Sequence, residues 1–418
     1  MVPDFPYIKA VTINDCYTYK DLYVQVFEEE PFRHLILTGK NGSGKTTILN
    51  GIAYSLEIIR ANTNPEKIRA TLQDWIKHNK NHPQIKNWEA SIERLQMIGL
   101  EYSASSLGRE YIQNKAFVYS YFRAYRKTRA NEVTTVTKDA DLESTINAPV
   151  DINDSSIVYD NSQVDQRQFS QYFKQYLVNK KVSQAFDQLE SNQQGLQQTR
   201  SFFDSFTDLL RILFGDKDLQ LIFAREQFEF FINLSDGRKI TFNQLSEGFS
   251  AFLSVITELL MRVDFIRRGV GDFSVDPPGI VLIDEPETHL HLELQYHVLP
   301  ILTKLFPNIQ FIAATHSPAV ISSIPNATIY DLSSQVTRKE QVAGSSFSEL
   351  MLTHFGLENE FSPVADKIIE QVNGIIENVQ DKQAAKVKLK QILDANREVL
   401  TPSLQLELES AILELEND

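Results

Sequence analysis

The chain has a single cysteine, Cys16, among its 418 residues. One thiol excludes an internal disulfide framework and any metal site built from several cysteines, and it suits a reducing compartment. Long hydrophobic runs are missing too: no stretch approaches the roughly 18 apolar residues that a membrane-spanning helix needs. The opening residues 1–10, MVPDFPYIKA, lack the basic-then-apolar layout of a secretory signal. Positive charge is the minority sign. Lys and Arg number 41 against 55 Asp and Glu, for a formal charge of −14 at pH 7, which argues against a surface that coats nucleic acid while leaving room for a local basic site. With 42% hydrophobic and 23% charged residues, the composition supports a large core and is not that of a disordered chain. These absences lead to the expectation of a soluble, cytoplasmic chain with no membrane partner, long enough for two or three domains at about 150 residues each. They leave the chemistry open.

That chemistry becomes specific at residues 39–47. The run Gly39-Lys-Asn41-Gly42-Ser43-Gly44-Lys45-Thr46-Thr47 fits the G-x-x-x-x-G-K-[ST] pattern, after a short apolar run and before a helical one. Glycines let the backbone curl so that successive N–H groups face phosphate oxygens, and the helix that follows adds its positive end. Lys45 is then placed for the β- and γ-phosphates of ATP and the Thr46 hydroxyl for Mg²⁺, with Asn41, Ser43 and Thr47 in the same cradle. A second run, Gly279-Ile-Val-Leu-Ile-Asp284-Glu285-Pro286, is continuously apolar and ends in two carboxylates, as a buried parallel strand would. Asp284 is the metal-holding candidate, through water, and Glu285 the residue that polarises the attacking water. Neighbours on a strand point to opposite faces, so Glu285 reaches the phosphate only if the strand has ended. A third run, Phe311-Ile-Ala-Ala-Thr315-His316-Ser317-Pro318, is another apolar strand with a polar end, whose histidine is suited to hydrogen-bond a γ-phosphate.

The fourth element is Leu245-Ser246-Glu247-Gly248, at the start of a long apolar-periodic helix running from Ala251 to about Arg267. Ser246 and the N–H groups around Gly248 form a second anion site at a helix N-terminus. One nucleotide needs one cradle, so a second suits a head-to-tail dimer in which this segment closes on the partner's ATP. In this order, the four elements resemble the ABC-type ATPase head of RecF, the structural-maintenance-of-chromosomes proteins and the overcoming-lysogenisation-defect ATPases. The segments Glu285-Pro-Glu-Thr-His289-Leu-His291 and Ala314-Thr-His316-Ser-Pro318 are most similar to the last branch and to related bacterial antiviral-defence ATPases. Transporter ATPases usually carry Ser-Gly-Gly-Gln where this chain has Ser246-Glu-Gly-Phe249. The resemblance covers about residues 5–50 and 220–335, under half of the chain.

The resemblance implies an α/β P-loop NTPase: an ABC-type head over 1–50 and 211–345, a mostly helical insertion lobe over 51–210, and a helical segment over 346–418. It implies ATP and Mg²⁺ as cofactors, hydrolysis, and a nucleotide-driven homodimer or higher homo-oligomer. In that dimer Ser246, Glu247 and Gly248 complete the partner's site. It further implies an antiviral-defence role with a separate effector, a nuclease or toxin. A RecF-like DNA-repair ATPase and a scaffold that cages such a partner stay open beside it. Nuclease relatives carry an acidic metal-binding domain after the switch histidine, and no matching D-x-D follows His316 here.

The remaining residues offer weaker signals. No sustained heptad fills the gap after the phosphate loop, so a compact lobe is expected there. Helical spacing runs from Gln166 to Leu213 with a break near Gly195, and Leu219–Leu234 reads as strand before the Ser235-Asp-Gly237 turn. Phe117–Phe122 reads as a strand, followed at once by Arg123, Arg126, Lys127 and Arg129, with Tyr125 among them. That cluster fits either a phosphate backbone or the protein's own carboxylates. Gln163, Gln166, Gln168 and Gln171 all suit the Mg²⁺-sensing glutamine of the related ATPases. The spacing of His289 and His291 puts both on one face of a strand, and the family likeness assigns them to the dimer seam. In the tail, Val364, Ile368, Val372, Ile375 and Val379 form one stripe and Val387, Leu389 and Ile392 another. Thr401-Pro402 opens a helix carrying Leu404, Leu408, Ile412 and Leu415 on one face, with Leu406 and Leu413 to the side.

Overall fold

The computed structural model describes residues 5–338 apart from 6, 17, 30, 61–64, 104–116, 125–132 and 137–168, together with 363–417 apart from 378–381 and 398–399. It divides into two compact units, Met1–Ser345 and Ser346–Asp418. The first is α/β. Its centre is a six-stranded sheet containing β3 (His34–Thr38), β5 (Val118–Phe122), β9 (Gly279–Asp284), β10 (Ile309–Ala314), β11 (Ala327–Asp331) and β12 (Val336–Arg338), in the order β12-β11-β3-β10-β9-β5. All neighbours pair in parallel except β11 and β12. Every residue of β3, β5, β9, β10 and β11 is buried. That is why these strands read as unbroken apolar runs rather than alternating ones: both faces of the sheet are covered.

The period of two still sorts the faces. Leu35 and Leu37, Ile280 and Leu282, Ile312 and Ala314, and Tyr119 and Tyr121 share one core cluster with Ile48, Leu49, Ile52 and Leu56 of α1 (Lys45–Arg60). The same cluster takes Ile8, Val11 and Ile13 from β1 (Ile8–Cys16), the middle strand of a second, antiparallel sheet with β2 (Tyr19–Gln25) and β4 (Ile98–Tyr102). Gln310 joins the two sheets without a strand pair: its side chain accepts from Ile8 N at 2.8 Å and donates to Ile8 O at 2.9 Å. Cys16 is buried and unoxidised in this region, and burial raises its thiol to about 11, so it is inert.

The stretch 51–210, expected as an insertion lobe, is not set apart over its described residues. β4 pairs with β1 and β5 pairs with β9, because the apolar run of β5 finds its burial at the edge of the central sheet. The helical part comprises α2 (Pro65–His78), α3 (Ile85–Met97), α4 (Phe169–Leu189) and α5 (Gln193–Phe214). The break between the last two falls at 190–192 and not at Gly195, since the Asn192 side chain caps α5 by accepting from Gly195 N. α4 packs on α6 (Glu247–Val270), with a buried ion pair of 2.9 Å between Lys180 and Asp264. Phe173, Phe206 and Phe230 close around Phe242. Phe230 lies on β7 (Glu229–Asn233), between β6 (Gln220–Ala224) and β8 (Lys239–Thr241).

Between β9 and β12 the chain adds α7 (Leu292–Gln295), α8 (Val298–Leu305) and α9 (Pro318–Ile321). The second unit is helical: α10 (Pro363–Glu377), α11 (Lys382–Ala395) and α12 (Pro402–Asn417) bury Ile368, Val372, Leu389, Leu393, Leu404, Leu408 and Ile412 together. α12 opens at Thr401-Pro402 as expected, with Leu404 N donating to the Thr401 hydroxyl at 3.4 Å. The stripe on α11 differs from the expected one. Val387 is exposed while Ala385 is buried with Leu389 and Leu393, because residues two apart lie on nearly opposite sides of a helix. Val379 lies outside the described residues. Among the described residues no helix is long and apolar enough to cross a membrane.

His34, at the start of β3, is buried and accepts from Phe311 N through Nδ1 at 3.0 Å. Burial, helped by the neighbouring Arg33, lowers its ring from 6.5 to about 4. An unfolded chain therefore takes up this proton as pH falls below 6.5, whereas the fold resists it until about pH 4. The stabilisation is complete above pH 6.5 and is lost as the pH falls toward 4. Denaturant titrations should show roughly 2–3 kcal/mol of stability lost across that window from this residue. His34→Gln should flatten the slope; an unchanged slope would remove His34 as its source.

Candidate functional site

The carboxyl ends of β3, β10 and β9 meet at one edge of the sheet. After β3 the chain turns through residues 39–44, where Gly39, Gly42 and Gly44 have φ of 137°, 79° and 84°. Such angles are open to glycine and strained for other residues. Gly39 is further confined, since a Cβ there would lie 2.9 Å from both the Ser333 and Ser43 hydroxyls. Lys40 N donates to Ser333 Oγ at 2.8 Å, and the Tyr19 hydroxyl donates to Ser43 O at 2.8 Å. These braces hold the curl, and neither Tyr19 nor Ser333 carries a motif that would mark it in the sequence. Lys45 opens α1 and is buried; its Nζ donates to Gly39 O at 2.9 Å and Lys40 O at 3.2 Å. Burial lowers its ammonium below the ordinary 10.5, opposed by the carboxylates of Glu285, Asp284, Glu287 and Asp331.

Asp284 ends β9 and reaches the next residue of the loop: Thr46 Oγ1 lies 2.9 Å from Asp284 Oδ2 and 3.2 Å from Oδ1. β10 runs between the two strands concerned, with Ala314 in register between Leu37 and Asp284. Ala314 shares a core cluster with Ile280, Leu282 and α1, and its side chain is a single methyl. Glu285 is no longer strand. Its φ is +47°, and its N–H donates to Ala314 O at 2.8 Å. A left-handed non-glycine residue costs about 1–3 kcal/mol, and it swings the side chain off the face that alternation would dictate. Glu285 Oε1 comes within 4.0 Å of His316 Nε2. His316 is held below the ordinary 6.5 by burial and by Lys45, against Glu285 and a hydrogen bond to the Gly39 backbone.

Sequence reasoning missed Glu287. Its Oε1 accepts from Thr315 Oγ1 at 2.6 Å, His316 N at 2.9 Å and Ser317 N at 3.1 Å. Burial pushes its carboxyl up, opposed by these hydrogen bonds. In the sequence it is only a second acid in an acidic turn, and nothing local reveals a partner loop so far along the chain.

Ser246, Glu247 and Gly248 begin α6, a helix of 24 residues, with Ser246 as N-cap accepting from Phe249 N at 3.5 Å. This end meets the turn after Glu285. A Cβ on Gly248 would collide with the His289 carbonyl, and Glu247 Oε2 is 4.0 Å from His289 Nε2. His289 and His291 do not share a strand face. His289 is left-handed at φ +62° in a turn closed by Leu290 N donating to Glu287 O, and His291 is the N-cap of α7. The residues after β9 are polar and Pro286 interrupts them, so no ladder continues. Of the basic cluster, Arg123 lies 5.4 Å over the Tyr121 ring, while Arg126, Lys127 and Arg129 lie outside the described residues. So do Gln163, Gln166 and Gln168; Gln171 lies on α4.

The donor set fits a magnesium nucleotide. Thr46 and Asp284 offer hard oxygens within one contact of each other. Mg²⁺ is typically held by one or two carboxylates plus substrate phosphates and water. Among the described residues no group of three or more His, Cys, Asp or Glu is placed to hold a metal. The buried ammonium of Lys45, now hydrogen-bonded to neutral carbonyls, supplies the matching positive charge.

The chain is similar to several known proteins. The family model described as "AAA domain, putative AbiEii toxin, Type IV TA system" matches residues 35–322, from the strand before the glycine loop to just past the His316 loop. The chain is 40% identical over 87 residues to "Retron Ec83 probable ATPase" of Escherichia coli, a stretch that is 21% of this chain and 16% of that protein. It is 32% identical over 114 residues to "Septu protein PtuA" of Bacillus thuringiensis, covering 26% of this chain and 28% of that one. The chain thus spans under a third of the length of these relatives. Among solved structures, the Smc head bound to the C-winged helix domain of ScpA aligns over 80% of this chain and 96% of its own, at 13% identity and a TM-score of 0.34.

The tight approach of α6 to the turn has a direct test. Gly248→Ala adds a methyl where the His289 carbonyl already sits. Although alanine favours a helix, we expect a net loss of about 1–3 kcal/mol in urea denaturation. An unchanged or raised stability would mean that the turn moves freely away from α6.

Proposed function

Because the chain belongs to the AAA-domain family described as "putative AbiEii toxin, Type IV TA system", we propose that it binds and hydrolyses Mg-ATP at the carboxyl edge of its parallel sheet. Its reaction drives an ABC-type, head-to-tail homodimer switch. The observation that carries this reading is the contact of 2.9 Å between Thr46 and Asp284, with Glu285 and His316 beside it at 4.0 Å from each other. A hydroxyl–carboxylate pair, a second carboxylate and an imidazole stand at one edge, next to the glycine loop.

In this reading the loop amides from Asn41 to Thr47 and Lys45 bind the phosphates, and Thr46 and Asp284 hold Mg²⁺, which neutralises charge on the phosphate oxygens. Glu285 accepts the proton of the attacking water. His316 donates a hydrogen bond to the γ-phosphate and so distinguishes ATP from ADP. Ser246 and the amides around Gly248, at the positive end of a 24-residue helix, close on the partner's nucleotide. Closure requires ATP and opening follows its hydrolysis, which makes the cycle a switch.

The names of the relatives, a retron ATPase and a Septu protein, support a place in bacterial antiviral defence. There the chain acts in the cytoplasm and controls a separate effector, a nuclease or toxin. Lys45→Ala should abolish ATP binding in equilibrium dialysis. Glu285→Gln should keep ATP binding, lower kcat at least a hundredfold, and accumulate a dimer with ATP by light scattering. A Glu285→Gln protein that hydrolyses ATP at the parental rate would remove that residue from the role of base.

A further inference from the structure

Three acids follow one another around the end of β9, and Glu287 makes the most hydrogen bonds to the His316 loop. Its bonds to that loop converge on one oxygen and come from three consecutive residues, Thr315, His316 and Ser317, at 2.6, 2.9 and 3.1 Å. Its other oxygen, Oε2, is buried with no hydrogen-bond partner among the described residues. This is a directed arrangement: the carboxylate is turned from solvent, and it grips the backbone on both sides of the His316 peptide.

The two segments it joins are each rigid. On its own side, Glu287 lies in a turn in which Thr288 N and Thr288 Oγ1 both donate to Glu285 O, at 3.1 and 2.8 Å, and Leu290 N donates to Glu287 O at 2.9 Å. Across from it, Ser317 N also donates to Thr315 Oγ1 at 2.9 Å, and Ser317 Oγ donates to Gln295 Oε1 at 2.6 Å. Gln295 Nε2 in turn donates to Leu290 O at 2.8 Å, which returns the chain of bonds to the turn that carries Glu285. The separation between Glu285 and His316 is therefore fixed by a closed loop of bonds with Glu287 as its charged member. Bonds to a carboxylate are roughly twice as strong as neutral ones.

We propose that Glu287 is a positioning residue for ATP hydrolysis: it fixes His316 against Glu285 at the γ-phosphate and acts only through His316. This rests on the reading of the site as an ATPase in which His316 contacts that phosphate. Replacing Glu287 with alanine leaves the His316 and Ser317 amides without their acceptor and frees the loop. Replacing it with glutamine keeps an acceptor oxygen but weakens the bonds and puts an amide NH₂ where Oε2 has no partner. Neither change removes a hydrogen bond to the phosphate loop, and of the four carboxylates that act on Lys45 three remain, so ATP binding should persist.

The test is a double-mutant cycle on the full chain, with kcat and KM for ATP measured in Glu287→Ala, His316→Ala and the double variant. A misplaced group of this kind costs on the order of ten- to a hundredfold in kcat. We expect that loss in Glu287→Ala with KM changed by less than about threefold, an intermediate loss in Glu287→Gln, and a double variant no slower than His316→Ala alone. If the two losses multiply, or if Glu287→Ala hydrolyses ATP at the parental rate, the proposal is overturned while the ATPase reading stands. A His316→Ala protein with parental kcat overturns both the phosphate role of His316 and the proposal built on it. An independent readout needs no turnover. The ring resonances of His316, identified by their loss in His316→Ala, should titrate below 6.5 in the parental protein and with an altered midpoint in Glu287→Gln, where the loop is released from its place. Identical titration curves would show that Glu287 does not hold the ring in place, and would overturn the proposal even if Glu287→Ala fails to fold.

Discussion

The contact between Thr46 and Asp284 is the constraint on which the rest of the site depends. These residues are brought to 2.9 Å across an intervening strand, and that demands two things of the fold. β3, β10 and β9 must run parallel so that their carboxyl ends coincide. The helix after the glycine loop must begin at Lys45, so that Thr46 projects from its first turn toward Asp284. The register places Ala314 opposite both Leu37 and Asp284, so the strand ends coincide.

Around that contact the chain accepts local costs. Glu285 and His289 both adopt left-handed conformations, each unfavourable for a residue with a side chain. The first turns a carboxylate out of the strand and toward His316. The second lets the carbonyl of His289 lie against Gly248 at the start of α6. Both irregularities occur within one short turn, and Glu287 ties that turn to the residues following β10. Glu285, the His316 loop and the start of α6 thus all meet at a single turn, held by hydrogen bonds on either side of it.

Much of this was legible in the amino-acid order. The glycine loop, the apolar strands ending in Asp284 and His316, and the helix behind Ser246 each carry a local pattern, and each lies where that pattern puts it. What was hidden depends on partners distant in sequence. β5 reads as a strand, but its apolar run alone does not say that it will pair with β9. The turn at 285–291 reads as extended because histidines two apart suggest alternation, and only the hydrogen bonds from Thr288 and Leu290 reveal that it is folded back. Glu287 and Tyr19 look ordinary in sequence, since their partners are 28–30 and 24 residues away. In the tail, the spacing found the buried faces of α10 and α12, and on α11 it found Leu389 and Ile392 but added Val387, which stands on the exposed side.

The overall charge of −14 is no obstacle to a nucleotide, because the positive character is local: one buried ammonium, the loop amides and the metal that Thr46 and Asp284 fit. That is also the most exposed point of the account, because everything proposed for the site follows from a carboxylate and a hydroxyl holding Mg²⁺ against ATP. The most direct test is the magnesium dependence of ATP hydrolysis in the parental protein and in Asp284→Asn. The account predicts hydrolysis that requires Mg²⁺ in the parental protein and falls at least a hundredfold in the variant, with the fold intact by thermal denaturation. Hydrolysis that persists after magnesium is chelated, or that survives Asp284→Asn at the parental rate, would contradict it.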